Sequence, residues 1–249
     1  MGTHALRERV FRANVALAES GLVLGTFGNV SGADHEAGLM AIKPSGVPYQ
    51  KLSTADMVLV SIETGEAVDS TLRPSSDTPT HLEIYRAFRC GGIVHTHSKF
   101  VAAFAQAQTP IRCLGTTHAD YFRGDVPVTR AMTEAEVASA YERNTGRVIV
   151  ETFESRGLSP VEISAVLVAN HGPFVWAADP MHAVEAAQVL EYLAEVNLAA
   201  RIINPAEPAP DRFLVDKHYL RKHGAQAYYG QRSAGRARTT APLPSERRS

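Results

Sequence analysis

The stretch GGIVHTHS, residues 91–98, combines an apolar run with two histidines that are separated by one threonine. The apolar part follows two glycines and predicts a buried strand. Side chains alternate between the two faces of a strand, so His95 and His97 are expected to share one face. Same-face positions lie roughly 6.5–7 Å apart along a strand, which allows two imidazoles to bind one metal ion.

A third histidine, His171, follows another apolar stretch in VLVANHGPF, residues 166–174. It stands where a strand is expected to end and a loop to begin, which is a common place for functional residues. The chain has 10 histidines, so a core or surface role is the favoured interpretation for His171 taken alone. Together the three favour a metal, since buried imidazoles without a partner are costly. Three imidazoles and one open position are typical of catalytic zinc.

Composition narrows the classes of function. The chain has 249 residues, 45% of them hydrophobic, which is enough for one large domain or two small ones. A formal net charge of −1 gives no general basic footprint for nucleic acid. No apolar run is long enough to span a bilayer, and the charged N-terminus has no signal-peptide core. With only two cysteines, Cys90 and Cys113, we expect a reduced, cytoplasmic protein without a disulfide framework.

The C-terminal stretch differs from the rest of the chain. Residues 232–249 carry five arginines, one glutamate and almost no large apolar side chains. This composition predicts a disordered tail, with a polyanion-binding arm as the alternative. Residues 1–231 are expected to form one folded domain.

Helices and strands are expected to alternate through residues 1–231. Several predicted strands are joined by tight turns, such as the one at residues 63–65. These features predict an α/β domain with a central mixed, largely antiparallel sheet sandwiched by helices, rather than a doubly wound parallel sheet. One helix is predicted to start at Asp77 or Thr78, before Pro79, and another at Asp179–Pro180. Thr133 and Glu136 form a capping box that predicts a helix over 132–144.

Three separate turns carry small polar residues and glycines. They are Gly28–Asn29, Ser45–Gly46 and Ser75–Ser76. None of them matches a P-loop or a dinucleotide-binding fingerprint. Backbone N–H groups and small hydroxyls in turns suit a phosphate, although for each turn taken alone a plain turn is the favoured interpretation.

A series of motifs resembles one known family over about residues 5–231. In chain order they are TFGNVSG, IKPSGV, PSSDTPTH, GGIVHTHS, GTTHADYF, NHGPF and DKHYLRKHGAQAYYGQ. They are similar to the class II (zinc) sugar-phosphate aldolase/epimerase family. PSSDTPTH, GTTHADYF and DKHYLRKHGAQAYYGQ resemble in particular the L-ribulose-5-phosphate 4-epimerases of that family. The resemblance implies a class II aldolase-like fold and a homotetramer with active sites between neighbouring subunits.

The resemblance also implies a site for one zinc ion per subunit. His95, His97 and His171 would be its ligands, and Asp77 would take the fourth metal-site position. Related aldolases carry a glutamate base at that position, so the shorter Asp77 favours an epimerase over a lyase. Phe27 replaces an expected tryptophan, and Ala169–Asn170 replaces a more polar pair; we expect neither departure to touch a proposed ligand.

The family resemblance extends to the remaining site residues. It implies that Gly28, Asn29, Ser45, Gly46, Ser75 and Ser76 hold the substrate phosphate, with Lys43 as a second-rank candidate. Asp120 and Tyr229 would take the acid–base roles, with the tyrosine contributed by the adjacent subunit. Neither residue stands out from its local sequence alone.

The implied reaction inverts carbon 4 of L-ribulose 5-phosphate to give D-xylulose 5-phosphate, a step of L-arabinose catabolism. That carbon is β to the ketone, so its hydrogen is not acidic, and the sequence has no dinucleotide fingerprint for transient oxidation. Retro-aldol cleavage between carbons 3 and 4 is the remaining route. The alternatives are a class II aldolase that releases its fragments and an epimerase that prefers L-xylulose 5-phosphate. The related head domain of adducin, which lacks the zinc histidines, is a non-enzymatic alternative.

Overall fold

The computed structural model describes residues 2–229. The end of the expected domain at residue 231 and the expected tail, residues 232–249, lie outside the described residues. The strands and helices are, in chain order, α1 (Thr3–Glu19), β1 (Asn29–Asp34), β2 (Leu39–Ile42), β3 (Val58–Ser61), β4 (Ala67–Val68), α2 (Thr78–Phe88), β5 (Gly92–His95), α3 (Lys99–Gln106), α4 (Thr116–Ala119), α5 (Glu134–Ala138), α6 (Tyr141–Arg156), β6 (Ala165–Leu167), β7 (Pro173–Ala177), α7 (Pro180–Ile203) and α8 (Arg212–His223). Among residues 2–229, no helix is both long and apolar enough to cross a membrane.

The strands form one sheet with the order β4-β3-β2-β1-β5-β7-β6. All six pairs of neighbouring strands are antiparallel, so the prediction of a largely antiparallel sheet is confirmed. Parallel pairing is confined to one isolated bridge between Val128 and Leu167 in the described residues. Strand β5 lies between β1 and β7, and its last residue, His95, pairs with Asn29 on one side and Phe174 on the other.

Helices cover both faces of the sheet, as predicted. Val94 of β5 lies in a core that includes apolar residues of α1, α3 and α7, whereas Ile93 lies in a second core with residues of α2 and α6. Both side chains are almost fully buried. Burial on two faces explains why β5 is a continuous apolar run rather than an alternating one.

Two glycines allow the start of α7 to cross closely over β5. A Cβ atom on Gly91 would lie 1.9 Å from the carbonyl oxygen of Ala178, and one on Gly92 would lie 2.4 Å from Pro180. Asp179 caps the same helix by accepting hydrogen bonds from the backbone N–H groups of Met181 and His182, which confirms the predicted start. The glycine pair therefore places β5 directly under the first turn of α7.

Three local predictions differ from the structure. Strand β5 ends at His95, so His97 lies in the following loop and does not share a strand face with it. The helix predicted over 132–144 has its capping box at Thr133 and Glu136 but breaks after Ala138, and α6 starts anew at Tyr141. Asp77 stands at the N-cap of α2, but its side chain makes no capping hydrogen bond.

Candidate functional site

The three predicted histidines converge at one end of the central strands. His95 ends β5, His97 follows it in the loop, and His171 lies in the turn between β6 and β7. Their ligand nitrogens all lie within 4.8 Å of one another. The Nε2 atom of His97 lies 3.1 Å from the Nε2 atoms of both His95 and His171.

The outer ring nitrogens of two histidines have protein partners, which aims Nε2 at the common centre. The Nδ1 atom of His95 lies 2.9 Å from the carbonyl oxygen of Pro173, and that of His171 lies 3.4 Å from the hydroxyl of Tyr141. A carbonyl only accepts, so Nδ1 of His95 holds the proton and its Nε2 presents a lone pair. Such outer partners commonly orient histidine ligands.

The three nitrogens fit a divalent cation. Tetrahedral zinc with bonds of ~2.1 Å separates its ligand nitrogens by roughly 3.4 Å, close to the 3.1 Å separations here. Nε2 of His97 carries at most one proton but faces two ring nitrogens. A cation at the centre therefore satisfies the lone pairs better than hydrogen bonds among the rings.

Burial keeps these imidazoles in the form that binds metals. It lowers the pKa of His95, partly opposed by Asp77. Burial also lowers the pKa of His171 to about 4, and the neighbouring His95 and His97 act in the same direction. Both rings are consequently neutral near pH 7, as metal ligation requires.

Asp77 lies beside the histidines without joining their cluster. Its Oδ2 atom accepts hydrogen bonds from the amide of Asn29 at 2.7 Å and from the hydroxyl of Ser75 at 3.5 Å. Burial raises the pKa of Asp77, but His95, His81 and the Asn29 hydrogen bond outweigh it, so the pKa lies below its ordinary value. Within the described residues, the cluster with metal-site spacing contains the three histidines and not Asp77. Its role as a fourth ligand stays a prediction.

The three predicted phosphate-binding turns come together next to Asp77. The loops around Ser45 and Ser75 are joined by a bridge between Pro44 and Pro74, and the Asn29 amide donates to the Ser75 hydroxyl at 3.2 Å. Ser45, Gly46 and Ser76 are at least partly exposed. Together these turns form what we call the cradle, a group of neighbouring hydroxyls and backbone amides, which suits an anion.

Gly28 connects this cradle to the histidines. Its φ of +77° lies in the left-handed region, and a Cβ atom there would lie 2.9 Å from the carbonyl oxygen of His95. A larger residue would therefore strain the backbone and push against the residue that carries a proposed ligand.

Lys43 is buried beneath the cradle. Its Nζ atom has only long contacts, at 3.5 Å, with the carbonyl oxygens of Thr26 and Pro44, and it lies 4.7 Å from the centre of the Tyr49 ring. Among residues 2–229 it has no carboxylate partner. Burial lowers its pKa. A buried ammonium without a counter-ion favours an anion in the neighbouring cradle.

Asp120 and Tyr229 form a second cluster, apart from the histidines of the same chain. Asp120 caps the C-terminal end of α4, and α8 supplies Arg221, which contacts both residues. Nδ1 of His218 donates a 3.1 Å hydrogen bond to Oδ1 of Asp120. Within residues 2–229, no hydrogen bond, ion pair or ring contact joins this cluster to the three histidines.

Several site residues were missed by the sequence analysis. His81 stands four residues after Asp77, one helical turn along the same face, and that spacing could have revealed it. Its Nδ1 atom lies 2.7 Å from the Ser31 hydroxyl. Tyr141 and Arg221 carry no local feature that marks them. The expectation that Phe27 touches no proposed ligand is wrong, because its ring stacks on His97 at 5.9 Å between centroids.

Residues 8–198 match the family described as Class II Aldolase and Adducin N-terminal domain. The match spans most of the chain, which therefore belongs to this family. The fold is a class II aldolase fold with one antiparallel sheet between helix layers.

Solved structures of aldolases in this family have the same fold as this chain. An L-fuculose 1-phosphate aldolase is 26% identical, covers 87% of this chain and 99% of its own, and superimposes with a TM-score of 0.71. The enzyme of that name from Thermus thermophilus is 26% identical over 82% of this chain and 98% of its own, with a TM-score of 0.63. YgbL from Klebsiella pneumoniae, a protein assigned to the aldolases, epimerases or decarboxylases, is 26% identical over 80% of this chain and 91% of its own, with a TM-score of 0.64.

Proposed function

We propose that this protein is a zinc-dependent 4-epimerase that interconverts L-ribulose 5-phosphate and D-xylulose 5-phosphate. The observation that carries the proposal is the convergence of three histidine Nε2 atoms beside the ionised Asp77 and the polar cradle. This arrangement offers a metal site and an anion site at adjacent positions, as a phosphorylated keto sugar requires. A cytoplasmic location in pentose catabolism follows from the same proposal.

One zinc ion per subunit would be held by His95, His97 and His171, with Asp77 near the fourth position. When bound, the ion would supply Lewis-acid polarisation of the substrate ketone. The cradle of Gly28, Asn29, Ser45, Gly46, Ser75 and Ser76 would hold the phosphate, and Lys43 below it would add charge. Retention of the phosphorylated fragment by this cradle is what would separate an epimerase from an aldolase.

Asp120 and Tyr229 would move the protons. The Asp120 carboxylate accepts the proton of the carbon-4 hydroxyl as the bond between carbons 3 and 4 breaks, and the bonding electrons pass toward the ketone. After the aldehyde turns over, the bond re-forms on its other face, and the Tyr229 hydroxyl gives its proton to the aldehyde oxygen. Exchange with solvent then returns Asp120 and Tyr229 to their starting states. Inversion needs one group to take a proton from the carbon-4 oxygen and a second group to return one, and this pair of acid–base residues meets that demand.

We further propose a homotetramer in which a neighbouring subunit brings Tyr229 to the metal site. Arg221 holds Asp120 and Tyr229 together in one chain, so Asp120 would accompany the tyrosine. The end of α7 and the start of α8 expose Ile202, Ile203 and Phe213. Apolar exposure of this kind is typical of surfaces that pack against another subunit.

A sugar-phosphate aldolase is the second candidate, favoured by the similarity to an L-fuculose 1-phosphate aldolase over almost all of that chain. Against it, Asp77 stands where related aldolases carry a glutamate. An epimerase that prefers L-xylulose 5-phosphate is a variant of the first proposal.

Product analysis distinguishes these functions. The zinc-loaded protein is incubated separately with L-ribulose 5-phosphate, L-xylulose 5-phosphate and L-fuculose 1-phosphate, and the products are identified by ¹³C NMR. The proposal predicts D-xylulose 5-phosphate from the first substrate without free dihydroxyacetone. Accumulating dihydroxyacetone, or cleavage of L-fuculose 1-phosphate in preference, would establish the aldolase instead.

A further inference from the structure

Arg221 lies between the two proposed acid–base groups. Its Nε and Nη2 atoms donate hydrogen bonds of 2.9 and 2.6 Å to the two carboxylate oxygens of Asp120. Its guanidinium carbon lies 4.7 Å from the centre of the Tyr229 ring. We propose that Arg221 is the positioning residue that holds Asp120 and Tyr229 as one acid–base unit. The inference rests on the proposed function, from which the two roles are taken.

The contact geometry is specific to arginine. Its planar guanidinium matches both oxygens of a carboxylate and can stack on an aromatic ring at the same time, which a lysine ammonium cannot do. The Asp120 side chain is 13% exposed and that of Arg221 is 23% exposed, so solvent weakens this pair less than an ordinary surface pair. The backbone N–H of Tyr229 also donates to the carbonyl oxygen of Arg221 at 3.1 Å.

The charged and titratable groups that face Asp120 come from α8 and from its own loop. They are Arg221, His218, Lys222 and His223 of α8, with Tyr121 next to Asp120 along the chain; the His223 ring lies 3.0 Å from the backbone carbonyl oxygen of Asp120. Burial raises the pKa of Asp120, but the hydrogen bonds from Arg221 and His218 outweigh it, so the pKa lies below its ordinary value. Near pH 7, Asp120 is therefore a proton acceptor.

Tyr229 is set up for the complementary role. Its ring faces two cations, because the Lys222 ammonium lies 4.9 Å from its centre in addition to the Arg221 contact. Arg221 therefore contacts the proposed proton acceptor and the ring of the proposed proton donor at the same time.

A purely structural role for Arg221 can be separated from this one. Arg123 also ties α8 to the rest of the domain, through hydrogen bonds to Asp216 on α8 at 2.9 Å and to Glu162 at 2.5 Å. If Arg221 served only to anchor α8, loss of Arg123 would have the same effect. Arg123 is thus the matched control.

The test compares Arg221→Gln, Arg221→Lys and Arg123→Gln as full-length, zinc-loaded proteins. Arg221→Gln is expected to lower kcat for epimerisation about 100-fold, the range of acid–base catalysis, with zinc content and KM near those of the wild type. The acid limb of its kcat/KM profile should move to higher pH, because Asp120 loses the partner that keeps it ionised. The kcat of Arg221→Lys should lie between those of the wild type and Arg221→Gln. The kcat and the pH profile of Arg123→Gln should match those of the wild type.

The outcomes are distinct. The inference would be overturned if Arg221→Gln kept the wild-type kcat and the wild-type acid limb. If Asp120→Asn were inactive in the same assay, the proposed function would still be supported. Equal losses in Arg221→Gln and Arg123→Gln without a pH shift would also overturn the inference. If the wild type does not epimerise, the proposed function fails, and a ¹³C NMR titration still tests the contact. An Asp120 pKa that is higher in Arg221→Gln than in the wild type supports the positioning role of Arg221. An equal pKa in the two proteins contradicts that role.

Discussion

The side-chain amide of Asn29 donates a 2.7 Å hydrogen bond to Oδ2 of Asp77, which joins the first residue of β1 to the start of α2. The same amide reaches the Ser75 hydroxyl at 3.2 Å. One side chain therefore connects the cradle proposed for phosphate with the carboxylate proposed for the metal. This contact fixes the position of the proposed phosphate site relative to the proposed metal site.

Asn29→Asp replaces that donor by a second carboxylate of the same shape. Two like charges at hydrogen-bond distance raise the pKa of at least one of them, so Asp77 should lose part of its ionised population. We expect kcat/KM to fall by roughly 100-fold or more, and further than in Asn29→Ala, which removes the donor without adding charge. Steady-state kinetics of both variants measure the difference. Equal losses would contradict the role assigned to the contact.

His97 is the centre of the three-nitrogen cluster, since its Nε2 atom lies 3.1 Å from both partners. His97→Ala should lose bound zinc and activity together. By contrast, Asp120→Asn and Tyr229→Phe should lose turnover and keep zinc, because neither contacts the cluster in its own chain. Metal content by mass spectrometry, measured beside kcat, checks both statements. Full zinc occupancy in His97→Ala would disprove the ligand assignment.

His118 should make folding stability depend on pH. Burial lowers its pKa to about 4, only partly opposed by the carbonyl of Gly124 and by Asp125. Because this value lies below that of an unfolded histidine, its contribution is fully present above pH ~6.5 and is lost as the pH falls toward 4. The loss is on the order of 3 kcal/mol for this shift.

His118→Gln keeps a donor for the Gly124 carbonyl and removes the titration. The free energy of unfolding, from urea titrations of the metal-free protein between pH 7 and 4.5, should fall less steeply in the variant. Identical slopes in the two proteins would show that His118 does not titrate as assigned.

Gly28 should tolerate alanine less well than Gly38 does. Both residues have a left-handed backbone, with φ of +77° and +67°, but a Cβ atom meets the His95 carbonyl only at Gly28. Gly38→Ala should cost about 1–2 kcal/mol of stability from the backbone alone. Gly28→Ala should cost more and also weaken zinc binding, since His95 must shift. Urea unfolding and zinc titration test this pair, and equal effects in both variants would refute the close approach as the cause.

Sequence patterns were most informative where local chemistry decides the structure. The apolar run before His95 predicted a buried strand, and Thr133 with Glu136 predicted a helix start. Tight turns between strands predicted antiparallel pairing. The motifs also predicted His171 as a site residue. His171 lies 74 residues from His97 in the sequence, so no local spacing pattern predicts their contact.

Tertiary contacts account for what the sequence did not predict. The strand ends before His97, and the loop rather than the strand face brings its ring to His95. Arg221 meets Asp120 across 101 positions of sequence, and no local pattern marks such a pair. Tyr141 is the first residue of α6, where a continuous helix was expected, and its hydroxyl lies 3.4 Å from Nδ1 of His171.

Metal-dependent epimerisation is the most direct test of the central claim. Conversion of L-ribulose 5-phosphate to D-xylulose 5-phosphate is followed with the purified protein, after removal of metal by a chelator, and after zinc is restored. We expect conversion that disappears on chelation and returns with zinc. Absence of conversion by the fully zinc-loaded protein, or conversion unaffected by complete removal of metal, would contradict the claim.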